Sequence, residues 1–293
     1  MTKEIILTAE DFGWAKKINE GIVLAYDYGP ITEITMCINA PEVEHALSLI
    51  KNKKYNIGLH LNITKFKPVS EHNLNSLTDE KTGEFKKVKT PEDLYGFLTL
   101  ANKTEISKEI YAQFDLFKEL IGKNPSHISS HHGVHGDPKV LDTVIELAKE
   151  YKIPVRLPIW TRENFNDFVS NYAAETILKR NKIKTTDKIF INIFNDDLRE
   201  NPTPLVDDFV KKIETTPNGL VEVGCHIGFM DKEVLYATSL NWQRVKDLIA
   251  IIDPSFTELL KKNKLKLVDW SGKEKKYKPE RGIIYAKVNY MRR

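Results

Sequence analysis

The chain has 293 residues, 41% hydrophobic and 29% charged, a composition suited to a globular protein with a sizeable core. Its 44 basic and 41 acidic residues nearly balance at a formal charge of +3, and no basic stripe stands out, which argues against nucleic-acid binding. Cys37 and Cys225 are the only cysteines, so a disulfide framework is not expected; neither a secretory signal nor a bilayer-spanning apolar run is visible, which points to a cytoplasmic protein without a membrane partner.

In chain order, residues 3–8 read as a buried strand because their apolar residues run on without alternating. Asp11-Phe12-Gly13 reads as a turn. The spacing of Ile18, Ile22, Ala25 and Tyr26 then predicts a helix over 18–28, stopped by Gly29-Pro30. A strand over 33–38, a helix carrying Val43, Ala46, Leu47 and Ile50, and a third strand ending at His60-Leu61 follow. This alternation is the signature of a parallel sheet covered by helices. Residues 65–103 break it. They are polar, contain Pro68, Gly83 and Pro91, and are expected to form a lid-like insertion with one short helix between Pro91 and Leu100.

Regularity returns with a helix over 104–121 and a weak strand over 126–129. Another helix is capped by Asp137, with Pro138 at its first position. A short strand over 153–156, a helix over 171–181, a strand over 187–194 and a helix over 205–215 come next. A strand ending at His226, helices over 240–252 and 255–262, and a strand over 264–268 close the chain. Seven or eight strand–helix units without a composition break predict one α/β domain over 1–293, an irregular (β/α) barrel of seven or eight parallel strands.

Four motifs stand at predicted strand ends: Glu10-Asp11-Phe12-Gly13, Gly58-Leu59-His60-Leu61, Ser130-His131-His132-Gly133-Val134-His135, and Gly224-Cys225-His226-Ile227-Gly228. In a parallel barrel such ends gather at one rim. Asp11 offers a charged oxygen, while His60 and one of His131 or His135 offer neutral nitrogens, a donor set for a divalent metal. If the segment is extended, His131 and His135 share a face and His132 points away. Such a centre activates water for attack on an amide or ester, with Glu10 as base and His226 as acid and oxyanion stabiliser. Arg156 would orient the base or bind an anionic group of the substrate. Taken singly each residue also has a structural reading: Asp11 as a turn or cap residue, His60 as a core histidine, His226 as a packed imidazole beside Cys225.

Together these motifs resemble the YdjC-like carbohydrate deacetylases, the chitooligosaccharide deacetylase family. The resemblance also takes in Asn19-Glu20-Gly21-Ile22, His127-Ile128-Ser129, Ile153-Pro154-Val155-Arg156-Leu157-Pro158 and Asn241-Trp242-Gln243-Arg244. It implies a barrel related to polysaccharide deacetylases, with a divalent metal, usually magnesium, on Asp11, His60 and His131. It also implies removal of acetyl from N-acetylated oligosaccharides such as chitooligosaccharides or their phosphates, and a homodimer. Zinc, manganese or cobalt would also suit mixed oxygen and nitrogen donors. The chain departs from the family pattern at Glu10 and Ser129, where Asp is common, at Gly133 for His, and at Ile227 for Pro. Ser129 for a carboxylate is expected to remove a partner that orients a ligand histidine. Two other readings remain open: a metal-dependent phosphoesterase or sugar-phosphate isomerase, and a non-catalytic sugar-binding protein.

Overall fold

A computed structural model describes residues 3–161, 168–191, 209–214, 216 and 218–277. In chain order the elements are β1 (Glu4–Phe12), α1 (Lys16–Tyr28), β2 (Glu33–Met36), α2 (Val43–Ile50), β3 (Ile57–Leu61), α3 (Pro91–Leu100) and α4 (Lys103–Ile121). They continue with β4 (Ile128–Ser130), a 3₁₀ turn (His131–Gly136), α5 (Pro138–Tyr151), β5 (Ile159–Thr161), β6 (Phe168–Ser170), α6 (Tyr172–Arg180) and β7 (Lys188–Ile191). The last are β8 (Leu220–Cys225), α7 (Lys232–Ala237), α8 (Trp242–Ile252), α9 (Pro254–Lys262) and β9 (Lys266–Leu267). The strand predicted over 187–194 is present in its described part, and residues 192–194 lie outside the described residues. Of the helix predicted over 205–215, residues 209–214 are described and helical.

The chain divides into two compact units. The first comprises Met1–Ile34, Glu44–Asn56 and Thr186–Arg293, the second Thr35–Val43 and Ile57–Thr185. In the first, β1 pairs in parallel with β8, Glu4 opposite Leu220 through Ala9 opposite Cys225. Strand β9 joins β1 at Glu4 and Ile5, and β7 joins β8, also in parallel. Ile5, Ile6 and Leu7 are all fully buried, as expected of a strand covered on both faces. Val268 and Trp270 close the core under Ile6, and Phe209 meets Phe256 edge to face at 5.0 Å.

In the second unit β3 and β4 are parallel, with His60 opposite Ser129 and Leu61 opposite Ser130. Helix α4 buries Ile106, Ile110, Phe114 and Phe117, and α5 buries Val140, Leu141, Val144 and Leu147. Asp137 caps α5 by accepting from Lys139 N, with Pro138 in the first turn as the sequence predicts. The stretch 65–103 contains the expected helix, α3, started by a reciprocal Thr90–Asp93 capping box. It also buries Leu74, Leu77, Phe85 and Val88 to 4% exposure or less.

Two local expectations are corrected, and two elements are added. β1 continues through the turn expected at Asp11-Phe12, with Asp11 in the left-handed region at φ 66°. Residues 153–156 form only an isolated bridge, Val155 with Ile128, because Pro154 and Pro158 have no amide hydrogen to extend a ladder. The antiparallel β5–β6 pair and helix α7 were not foreseen. Parallel strands followed by helices recur in both units, the pattern of the (β/α) barrel class, and these departures make it irregular.

Candidate active site

The first unit carries a buried carboxylate cluster. Glu10 and Asp11 stand at the carboxyl end of β1, with exposures of 4% and 1%. A turn follows, in which Trp14 N donates to Asp11 O at 3.1 Å and Gly13 N to Asn19 Oδ1 at 2.7 Å. His226 enters from the residue after β8, its Nε2 3.5 Å from Glu10 Oε2 and 3.8 Å from Asp11 Oδ2. While His226 is protonated, those separations give electrostatic attraction without a direct hydrogen bond to Asp11. A β-carbon on residue 224 would overlap Glu10 Oε1, so Gly224 is what lets the Glu10 carboxylate lie across β8. Arg244, on α8, completes the cluster. Its Nη2 donates to Asp11 Oδ2 at 2.5 Å and its Nε to Leu240 O at 2.8 Å, and the residue is 1% exposed.

The second unit carries the imidazole cluster. His60 stands on β3 with Nδ1 2.7 Å from Ser129 Oγ, its cross-strand neighbour on β4. Ser129 therefore supplies the orienting partner whose loss its identity had suggested. His131 follows β4, and its ring lies edge to face with His60 at 6.0 Å between centroids. His132 is stacked on His131 at 3.9 Å and 34°, with Nδ1 3.2 Å from Thr64 Oγ1.

The expected alternation of His131, His132 and His135 along an extended segment does not occur. The segment is a 3₁₀ turn in which His132 and Gly133 both take left-handed angles, φ 55° and 67°. A β-carbon on residue 133 would sit at a strained φ and 3.2 Å from Ile159 O, so glycine suits this position. His135 is held elsewhere. Its Nε2 lies 3.2 Å from Arg156 O and must donate to it, so in the neutral ring Nδ1 accepts from the Ser130 hydroxyl at 2.5 Å. Both ring nitrogens are thus engaged, and it is the His131 ring that adjoins His60. Arg156 is 2% exposed, its N donating to Ile128 O and its carbonyl fixing His135. His127, at the other end of β4, is fully buried with Nδ1 3.1 Å from Ser126 Oγ, a core histidine.

The structure thus brings Glu10, Asp11 and His226 together in one unit, and His60 and His131 in the other. The sequence alone assigns Arg244 no role; its signal there is its place in Asn241-Trp242-Gln243-Arg244.

Residues 4–262 match the family model described as YdjC-like protein. The chain belongs to the YdjC-like family. Among the relatives of this YdjC-like chain, a carbohydrate deacetylase of Brevibacillus brevis is 32% identical over 92% of the chain and 98% of that protein. A carbohydrate deacetylase of Geobacillus stearothermophilus is 30% identical with the same coverage. A chitooligosaccharide deacetylase of Yersinia enterocolitica is 28% identical over 92% of the chain and 99% of that protein. The crystal structure of a candidate cellobiose-phosphate cleavage protein from Enterococcus faecalis superimposes with a TM-score of 0.76 at 22% identity, covering 92% and 98% of the two chains. The fold of the YdjC-like chain is therefore shared nearly end to end with a solved structure. Among the described residues no helix is long and apolar enough to cross a membrane.

The donor chemistry suits the metal that the family implies. In the first unit a buried carboxylate held by an arginine, and in the second two adjoining imidazoles, one oriented through its Nδ1, are each among the groups a divalent cation takes.

Proposed function

We propose that this YdjC-like chain is a metal-dependent carbohydrate deacetylase, removing acetyl groups from N-acetylated oligosaccharides such as chitooligosaccharides or their phosphates. The observation that carries the reading is the His60–His131 pair, edge to face at 6.0 Å with His60 turned by Ser129. The names of the full-length relatives support the substrate class. Asp11, His60 and His131 would hold the cation, magnesium by family resemblance, with zinc, manganese or cobalt also suited to the donors. When bound, a divalent cation polarises the acetyl carbonyl and makes a water easier to deprotonate.

The remaining work falls to the chain. Glu10 accepts a proton from the attacking water, and His226 donates one to the departing nitrogen as the C–N bond breaks. Acetate and a free amino sugar result. The 3.5 Å between Glu10 Oε2 and His226 Nε2 keeps base and acid in one cluster, and His226, while protonated, favours the Glu10 carboxylate. Arg244 keeps the Asp11 carboxylate aimed. Arg156 is assigned to an anionic group of the substrate.

The reading is tested by comparing wild type with His131→Ala for bound metal, by elemental analysis, and for acetate release from a chitooligosaccharide panel. Loss of both is expected; full metal occupancy in the variant contradicts the ligand assignment. Release of inorganic phosphate or an isomerised sugar in place of acetate replaces the deacetylase reading.

A further inference from the structure

We propose that Thr64 and His132 are positioning residues for the His131 imidazole, held in register by a buried hydrogen-bond chain that starts at Glu109 on α4. The inference rests on the reading of His131 as a metal-holding residue. Every link lies within the second unit.

The chain begins where α4 meets the end of β3. Gln113 clamps the peptide groups of Asn62: its Oε1 accepts from Asn62 N at 3.1 Å and its Nε2 donates to Asn62 O at 2.7 Å. The same Nε2 donates to Glu109 Oε1 at 2.8 Å, so the Gln113 amide has one orientation. Glu109 in turn accepts from Val69 N and Ser70 N, each at 2.9 Å, and thereby pins the segment after residue 64 to α4.

The side chain of Asn62 is equally determined. Its Nδ2 donates to Asn39 Oδ1 at 3.0 Å and to Lys65 O at 3.1 Å. Its Oδ1 accepts from Thr64 N and Lys65 N, both at 3.2 Å, and from Thr64 Oγ1 at 3.3 Å. The Thr64 hydroxyl has one proton, and Asn62 Oδ1, which can only accept, receives it. Thr64 Oγ1 then meets His132 Nδ1, at 3.2 Å, as an acceptor. Neutral His132 must therefore carry its proton on Nδ1.

A ring fixed in this way is a wall for its neighbour. His131 is half-buried and lies against His132 at 3.9 Å, with His60 at 6.0 Å. His132 makes this stack from a left-handed backbone, φ 55°. Such a conformation is uncommon in a non-glycine residue and persists where its surroundings impose it. The Thr64 bond and the stack are two such impositions.

The test compares Thr64→Val, which removes the hydroxyl at nearly constant volume from a fully buried side chain, with Thr64→Ser, which restores it. Both variants are first checked for a wild-type circular dichroism spectrum. ¹⁵N spectra of the histidine rings in metal-free protein, at about pH 8 where imidazoles are neutral, report the tautomer directly. His132 is expected as Nδ1–H in wild type and Thr64→Ser, but not in Thr64→Val. Calorimetric titration with Mn²⁺ alone is expected to show about 10–100-fold weaker binding in Thr64→Val, the range typical of lost outer hydrogen bonds, with Thr64→Ser close to wild type. An Nε2–H tautomer for His132 in wild type overturns the proposal, as does wild-type Mn²⁺ affinity in folded Thr64→Val. Wild type that binds no Mn²⁺, Mg²⁺ or Zn²⁺ overturns the metal reading instead, and the positioning role falls with it even if the tautomer is as expected.

Discussion

In the first unit, Asp11 is held by a full positive charge, Arg244 at 2.5 Å, and Glu10 has His226 Nε2 at 3.5 Å. In the second, His60 is held by the Ser129 hydroxyl and His132 by the Thr64 hydroxyl, and even the buried carboxylate of Glu109 takes only neutral N–H donors, from Val69, Ser70 and Gln113. The difference follows from what each group must be. A buried carboxylate that is to stay ionised needs a compensating charge, whereas an imidazole that is to offer a neutral nitrogen needs a partner that fixes its tautomer without protonating it. The two clusters should therefore fail differently when their partners are removed.

The largest effect is expected at Arg244. Arg244→Met leaves the Asp11 carboxylate buried beside no guanidinium, and urea denaturation should show a loss of about 3–5 kcal/mol. Much of that should return in the double variant with Asp11→Asn, and a loss below about 1 kcal/mol would erase the contrast between the clusters. Next is Gly224→Ala, whose new methyl must displace Glu10. A shift of roughly an ångström in a catalytic group lowers turnover by about 100-fold, measured as acetate release, while unchanged turnover would remove Glu10 from the reaction. Ser129→Ala should cost about 1 kcal/mol of stability and weaken cation binding. Restoration of binding by Ser129→Asp would show that the position asks for an acceptor on His60 Nδ1.

Glu109 sharpens the comparison through pH. Burial raises its pKa above the ordinary 4.5, outweighing the Val69, Gln113 and Ser70 hydrogen bonds that lower it. Between 4.5 and that raised value the folded chain binds a proton that the unfolded chain does not, so stability falls as pH rises through this window. Glu109→Gln lacks the slope. Urea denaturation at a series of pH values should show the difference between the two proteins shifting in favour of wild type as pH falls toward 4.5; a pH-independent difference would show that Glu109 does not titrate as its burial dictates.

Much of this was legible in the residues. Asp137-Pro138 marks the start of α5 because a capping carboxylate and a proline have one natural place in a helix. The continuous apolar run Ile5-Ile6-Leu7 marks a strand covered on both faces. The left-handed angles at Asp11, His132 and Gly133 were not legible, since such conformations are imposed by tertiary contacts. They shift which side chains share a face, which is why His131 adjoins His60 while His135 turns to Ser130 and Arg156. Arg244 was hidden for another reason: its partner Asp11 is 233 residues away, and no periodicity connects them. Ser129 suggests a lost carboxylate from the sequence alone because cross-strand register, which sets it opposite His60, is invisible in one strand.

The most direct measurement is acetate release from N-acetylated chitooligosaccharides by purified protein before chelation, after chelation, and after return of Mg²⁺, Mn²⁺, Co²⁺ or Zn²⁺. Release is expected to disappear with the metal and to return with at least one of these ions, but not to return in His60→Ala or His131→Ala. Undiminished release after complete removal of metal, or no release with any of the four ions, would contradict it.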